Sequence, residues 1–208
     1  MGLSLRPATP SDARHIVDIY FSAFKEDAIS IICFPRIKAV DDFWFNMIFE
    51  ELSDPHAYFA CVTSSEATGE ETIVAFAKWN TPSKPMTLEL PNWPEGSDGE
   101  FANSVFSRFF SVHKRLMQRR KHWYLELIAT RPEFQGKGAA GMLMRWGLEK
   151  VDEDGAVSYL EASPEGKPIY EHFGFVGQEE LTIDIEGKGS KEKKYVEVFM
   201  IRPAKNER

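Results

Sequence analysis

The chain has 208 residues, 43% of them hydrophobic, and a formal net charge of −7, enough for one sizeable core, so a single domain over residues 1–208 is expected. The acidic balance argues against a sequence-independent nucleic-acid binder, and no apolar run approaches the roughly 20 residues a membrane span needs. Cys33 and Cys61 are far apart and lack metal spacing. With an N-terminus that has no apolar signal core, and Arg6 where a myristoylation signal needs Ser or Thr, the expected setting is reducing and cytoplasmic, with no membrane partner.

In chain order, residues 3–10 (LSLRPATP) read as a strand ending in a turn. Residues 11–24 follow as a helix capped by Ser11, with Ile16, Ile19, Tyr20 and Phe24 at helical spacing. The stretch 25–35 is apolar but has no period, and 40–52 (VDDFWFNMIFEEL) is a second helix. AYFACVT (57–63) and TIVAFAKW (72–79) are strands joined by the turn-like SSEATGEE. Residues 81–100 carry four prolines and form a long surface connection. A helix over 101–121 ends in basic residues that suit its dipole. Then come a strand (122–130, HWYLELIAT), a helix (138–155) ended by Gly155, a strand (156–163) and a short helix (168–175) ended by Gly174. Two late strands, 178–185 and 195–201, flank the polar turn 186–194.

RPEFQGKGAAG, residues 131–141, supports two phosphate-binding readings. Gly136, Gly138 and Gly141 spell G-x-G-x-x-G between a strand and a helix, and Glu161 lies 161 − 141 = 20 residues further on, where a dinucleotide's ribose would be bound. Against this, RPEFQ separates the strand from Gly136, and Pro132 keeps Arg131 out of the helical region. Only 208 − 141 = 67 residues follow, few for the further strand–helix units of that fold. The same segment spells Q-x-x-G-x-A from Gln135 through Gly138 to Ala140. In that reading successive amides lead into a helix N-terminus and bind an anion without metal or base. Gly138 admits a close approach, Ala139 and Ala140 keep the first turn thin, and Gly141 costs helix stability that a purely structural helix tends to keep. Lys137 stands where it can touch a phosphate or remain solvated.

LELIATRPEFQGKGAAGMLM followed by YLEASPEGKPIYEHFGF resembles the GNAT superfamily of acetyl-CoA-dependent N-acetyltransferases over residues 123–176, and LSLRPATPSDARHI resembles its first strand and helix more weakly. The resemblance implies an α/β fold with a mixed, largely antiparallel sheet of six or seven strands and helices on both faces. It implies a strand splayed at a bulge, whose end, Ile128, Ala129 and Thr130, pairs with the pantetheine arm of acetyl-CoA. The pyrophosphate would lie on Gln135, Gly136, Lys137, Gly138, Ala139, Ala140 and Gly141.

Two side chains are candidates for catalysis. By resemblance Tyr170 is the acid that protonates the leaving thiolate; on its own spacing it is equally a core anchor beside Phe173 and Phe175. Strand alternation puts Tyr124, Glu126, Ile128 and Thr130 on one face. A carboxylate there needs a partner or a wet cleft, and partial burial would raise its pKa toward that of a base. Glu126 is therefore read as general base, buried ion pair or substrate anchor. Glu161 either lines the opposite lip of the cleft or caps the next turn, and His122 and His172 flank the site in sequence.

The expected reaction is direct acetyl transfer from acetyl-CoA to a primary amine of a small molecule or peptide, without an acyl-enzyme, a metal or a nucleic-acid partner. The acceptor would be bounded by residues 25–50, 81–100 and 186–194, where Phe43, Trp44 and Trp93 form an apolar wall or pack the core. A homodimer is left open. The alternatives are a non-catalytic acyl-CoA sensor and an NAD-binding oxidoreductase.

Overall fold

The computed structural model describes residues 2–65 and 71–207. Seven strands form one sheet in the order β1-β2-β3-β4-β5-β7-β6: β1 (Gly2–Pro7), β2 (Ala57–Ser65), β3 (Glu71–Asn80), β4 (His122–Thr130), β5 (Val157–Ala162), β6 (Val176–Asp184) and β7 (Lys194–Arg202). Every neighbouring pair is antiparallel except β4 and β5. One parallel pair and two closing antiparallel strands exclude the doubly wound sheet that the dinucleotide reading requires. The turn expected at residues 64–71 falls largely on 66–70, outside the described residues.

Helices cover both faces. On one, α1 (Ala13–Ala23), α2 (Ala28–Cys33), α3 (Lys38–Glu51) and α4 (Gly99–Met117) bury Ile16, Ile19, Val40 and Ile48 with Phe76 and Ala129 of the sheet. On the other, α5 (Ala139–Glu153) buries Leu143, Met144 and Leu148 against Ala75, Trp79 and Leu125. A short α6 (Lys167–His172) follows β5. Gly147 of α5 exists for this packing, because a Cβ there would come within 2.2 Å of the wholly buried Trp79 ring.

Two local expectations need correction. The first helix is not capped by Ser11: Thr9 and Asp12 form the capping box, and Arg6 holds the Asp12 carboxylate through two bonds of 2.7 and 2.8 Å. The apolar stretch 25–35 is not irregular but contains α2, started by the Asp27 side chain accepting from the Ser30 amide at 2.7 Å. Five of its six residues are buried, so no polar face marks its period.

Candidate active site

The parallel pairing of β4 and β5 runs from His122↔Val157 to Leu125↔Leu160 and stops there. β4 continues to Thr130 along β3 without β5, so the two strands form a fork. Register fixes its mouth: Lys78 stands opposite Leu127 and Trp79 opposite Leu125, leaving Glu126 as an extra residue, a β-bulge.

The bulge reverses the alternation. Trp123 and Leu125 pack toward α5, but beyond the bulge it is Ile128 that joins that side while Leu127 and Ala129 pack toward α1. The reading that put Tyr124, Glu126, Ile128 and Thr130 on one face is thus wrong, because an inserted residue shifts the parity of everything after it.

Past the fork the chain turns into α5. Arg131 is tied to β3, its amide to the Val74 carbonyl at 2.8 Å and its Nε to the Ile73 carbonyl at 3.0 Å. Gln135 Nε2 reaches back to the Thr130 carbonyl at 3.4 Å. Gly136 and Gly138 have φ of +72° and +92°, and nothing lies within 4 Å of where a Cβ would stand on either. Gly138 is the N-cap of α5, so the first amides of the helix, those of Ala139, Ala140 and Gly141, have no intrahelical partner. The Arg145 guanidinium lies 3.4 Å from the Cβ position of Gly141. Lys137 is exposed, with its ammonium 4.8 Å from the centre of the Phe134 ring. An open face of amides at a helix N-terminus with a nearby guanidinium suits a pyrophosphate.

At the fork opens a cleft of ≈ 1480 Å³ whose lining includes Glu126, Ile128, Gln135, Glu161, Tyr170 and Glu197. Phe43, Trp44 and Trp93 also line it, and Trp44 stacks on Tyr20 at 3.8 Å between ring centres. The expected acceptor segments contribute to it: Asp27 and Trp44 from 25–50, Leu88 and Trp93 from 81–100, Glu192 from 186–194.

Glu126 is clamped. Its Oε2 takes a hydrogen bond from Asn80 Nδ2 and lies 2.8 Å from the ammonium of Lys78, which is 1% exposed and also reaches Glu51 at 2.5 Å. Burial works to raise the Glu126 pKa, but Lys78 and then Asn80 outweigh it and hold the carboxyl below its ordinary range. The expected upward shift of Glu126 is therefore reversed by a cation that the sequence reading did not connect to it. Burial lifts the pKa of Glu51, the second carboxyl on Lys78, against the ammonium's pull.

Glu161 lines the cleft rather than capping a turn. Its two oxygens accept from the hydroxyls of Tyr124 at 2.6 Å and Tyr159 at 2.8 Å. Burial raises its pKa more than the two phenols lower it, to about 7. Deeper along β7, Glu197 is 5% exposed; burial lifts it to about 8 against the pull of Tyr195. Behind Tyr159, His113 stacks at 3.9 Å and joins His122, Nε2 to Nε2, at 2.7 Å. His122 Nδ1 lies 2.8 Å from the Arg120 carbonyl, so this nitrogen carries the proton and His113 donates to the bare Nε2 of His122. Burial and the facing ring depress His113 to about 3, which keeps it neutral.

Tyr170 sits on α6 with its ring 6.2 Å from that of Phe175, and burial followed by Glu197 pushes its phenol upward. Tyr170 packs on the core and lines the cleft. His172, by contrast, is exposed on α6 and does not line the cleft. Lys78, Tyr195 and Glu197 were not singled out from the sequence. Each was detectable as a polar or charged residue in an otherwise apolar strand, VAFAKW or YVEVFMI, where it needs a partner.

The sequence profile of the Acetyltransferase (GNAT) family matches residues 25–175. An uncharacterised N-acetyltransferase of Schizosaccharomyces pombe is 35% identical over 91 residues, 40% of this chain and 37% of that protein, so the match spans little more than a third of the relative's length. The fold is similar to that of a histone acetyltransferase HPA2 and related acetyltransferase from Corynebacterium glutamicum (TM-score 0.61, 21% identity, 98% of this chain and 97% of that one). It is also similar to the PaiA N-acetyltransferase of Thermoplasma acidophilum solved with coenzyme A (TM-score 0.54, 12% identity, 98% and 99%).

Proposed function

This chain belongs to the GNAT family of acetyltransferases, and from that premise we propose that it works as one domain that moves an acetyl group from acetyl-CoA directly to a primary amine. The observation that carries this reading is the fork: β4 and β5 part after Leu125 and Leu160, between the glycine turn of α5 and the cleft. Acetyl-CoA supplies a thioester whose carbonyl an amine can attack.

The chain's own residues supply the rest. The amides of Gln135 to Gly141, opened by Gly136 and Gly138, hold the pyrophosphate, with Lys137 at its side. The backbone of Ile128, Ala129 and Thr130 aligns the pantetheine arm along the free edge of β4. Tyr170, protonated at neutral pH, gives its proton to the departing sulfur. Glu126, ionised by its contact with Lys78, draws an ammonium to the fork; as the group that takes the proton it works against the same lysine. The aromatic wall and the carboxyls of the cleft favour a cationic acceptor with an apolar body, a small amine or a peptide side chain.

Thermal unfolding with coenzyme A, acetyl-CoA or NAD tests the cradle. A ligand at one hundred times its Kd stabilises by about 2.7 kcal/mol. Coenzyme A and acetyl-CoA should raise the melting temperature and NAD should not; a rise with NAD alone would overturn the assignment of the glycine turn. Amine-dependent release of free thiol from acetyl-CoA then separates an enzyme from a protein that only binds the thioester.

A further inference from the structure

Glu126 and Glu161 are the first residues beyond the last paired step of β4 and β5, one on each lip of the fork, and their surroundings differ in kind. The Glu126 carboxyl is matched by the Lys78 ammonium and the Asn80 amide. The Glu161 carboxyl meets two phenols and, among the described residues, no cation. Two carboxyls at one site whose environments separate their affinities for a proton take different roles: the lower one stays an anion, the higher one exchanges the proton.

We propose that Glu161, held between the Tyr124 and Tyr159 hydroxyls at the mouth of the fork, takes the proton from the acceptor amine, and that Glu126 remains a fixed negative charge that positions the ammonium. The inference rests on the acetyl-transfer reading above. The ammonium gives one proton to Glu161, directly or through one water. Its freed lone pair forms the new C–N bond as the thioester C–S bond breaks. Tyr170 protonates the departing sulfur, and the nitrogen's second proton returns to the Tyr170 oxygen. Glu161 then releases its proton to solvent, so each turnover yields an amide, a thiol and one proton.

The groups facing Glu161 support an acid limb that belongs to it. From β4 come Tyr124 and the ionised Glu126; from β5, Tyr159; from β7, Glu197, which lies within electrostatic reach. His113 of α4 stacks on Tyr159 and is neutral throughout this range. The carboxyl of Glu161 itself titrates near 7, the range in which a base both accepts and releases a proton at neutral pH.

The test uses the full chain and saturating acetyl-CoA, with a panel of aliphatic and arylalkyl primary amines as acceptors. If coenzyme A binds but no amine drives thiol release, acetyl transfer fails and this proposal with it. With a working acceptor, Glu161→Gln should lower kcat by about 10²–10⁴-fold, remove the acid limb of the kcat profile and leave coenzyme A affinity unchanged. Glu126→Gln should mainly raise the KM for the amine and keep the limb. Tyr124→Phe removes a hydrogen bond that favours the ionised carboxyl, so the limb should move to higher pH. Tyr124→Phe decides the matter if Glu161→Gln does not fold. A Glu161→Gln rate within about threefold of the parent, below what a lost base costs, or loss of the limb in Glu126→Gln instead, would overturn the assignment. So would an unmoved limb in Tyr124→Phe.

Discussion

Lys78 and Glu126 meet at 2.8 Å across the bulge that separates β3 from β4, and this contact fixes the charge at the mouth of the fork. Lys78 comes from a strand with eight of its ten residues buried and serves two carboxyls, Glu51 and Glu126. Its removal should therefore cost far more than a surface pair.

Lys78→Met keeps the volume and deletes the charge. It should destabilise the fold by about 3–5 kcal/mol at neutral pH, the usual cost of stranding a buried charge. Glu126, held below its ordinary pKa in the parent, contributes stability that is present above its unfolded value and lost as pH falls through its folded value. The gap between parent and variant should accordingly narrow as pH drops below about 5, where unpaired carboxyls take up protons. Denaturant melts at acid and neutral pH measure it; a pH-independent gap would mean that Lys78 acts by packing alone.

Glu197→Gln should do the reverse. The folded pKa of Glu197 is about 8 against 4.5 for the free side chain. A raised carboxyl favours the fold while it is protonated, so stability falls by roughly 1.4 kcal/mol per pH unit between these values. The amide variant lacks this slope and should exceed the parent in melting temperature at pH 8.5, with the advantage shrinking toward pH 5. An equal offset at both pH values would show that Glu197 is already ionised in the fold.

Gly138→Asp places a carboxylate at a φ of +92° on the open face of the glycine turn. The strained conformation should cost on the order of 1–2 kcal/mol of stability. Coenzyme A affinity should fall at least about 100-fold, equivalent to about 2.7 kcal/mol, because a negative side chain enters the space of the pyrophosphate. Titration calorimetry with coenzyme A reads the loss; an unchanged Kd would put the anion elsewhere.

Tyr170→Phe keeps the ring on Phe175 and removes the hydroxyl. Turnover should drop by about 10²–10⁴-fold with little change in acetyl-CoA affinity. Burial, reinforced by Glu197, pushes the phenol above its ordinary range, so it stays protonated through neutral pH and the variant should leave any alkaline limb where it was. A rate within about threefold of the parent, short of the loss expected for a missing acid, would reduce Tyr170 to a core anchor.

Local chemistry made much of this protein legible in its sequence. β4 reads from HWYLELIAT, α5 from its stop at Gly155, α6 from Gly174, and the glycine turn from QGKGAAG, because turns, caps and periods are set by neighbours in the chain. The family followed from the order of those elements. α2 escaped because a helix buried nearly all round leaves no amphipathic trace. The resemblance implied a bulge, but its place at Glu126 escaped because that exists only in the register against β3, and with it went the parity of the strand end. The protonation of the carboxyls was beyond the sequence for the same reason. Lys78 lies 126 − 78 = 48 residues before Glu126, and Tyr124 lies 161 − 124 = 37 residues before Glu161. A pKa is set by the charges and hydrogen bonds within a few ångströms, and only the folded sheet brings those side chains together.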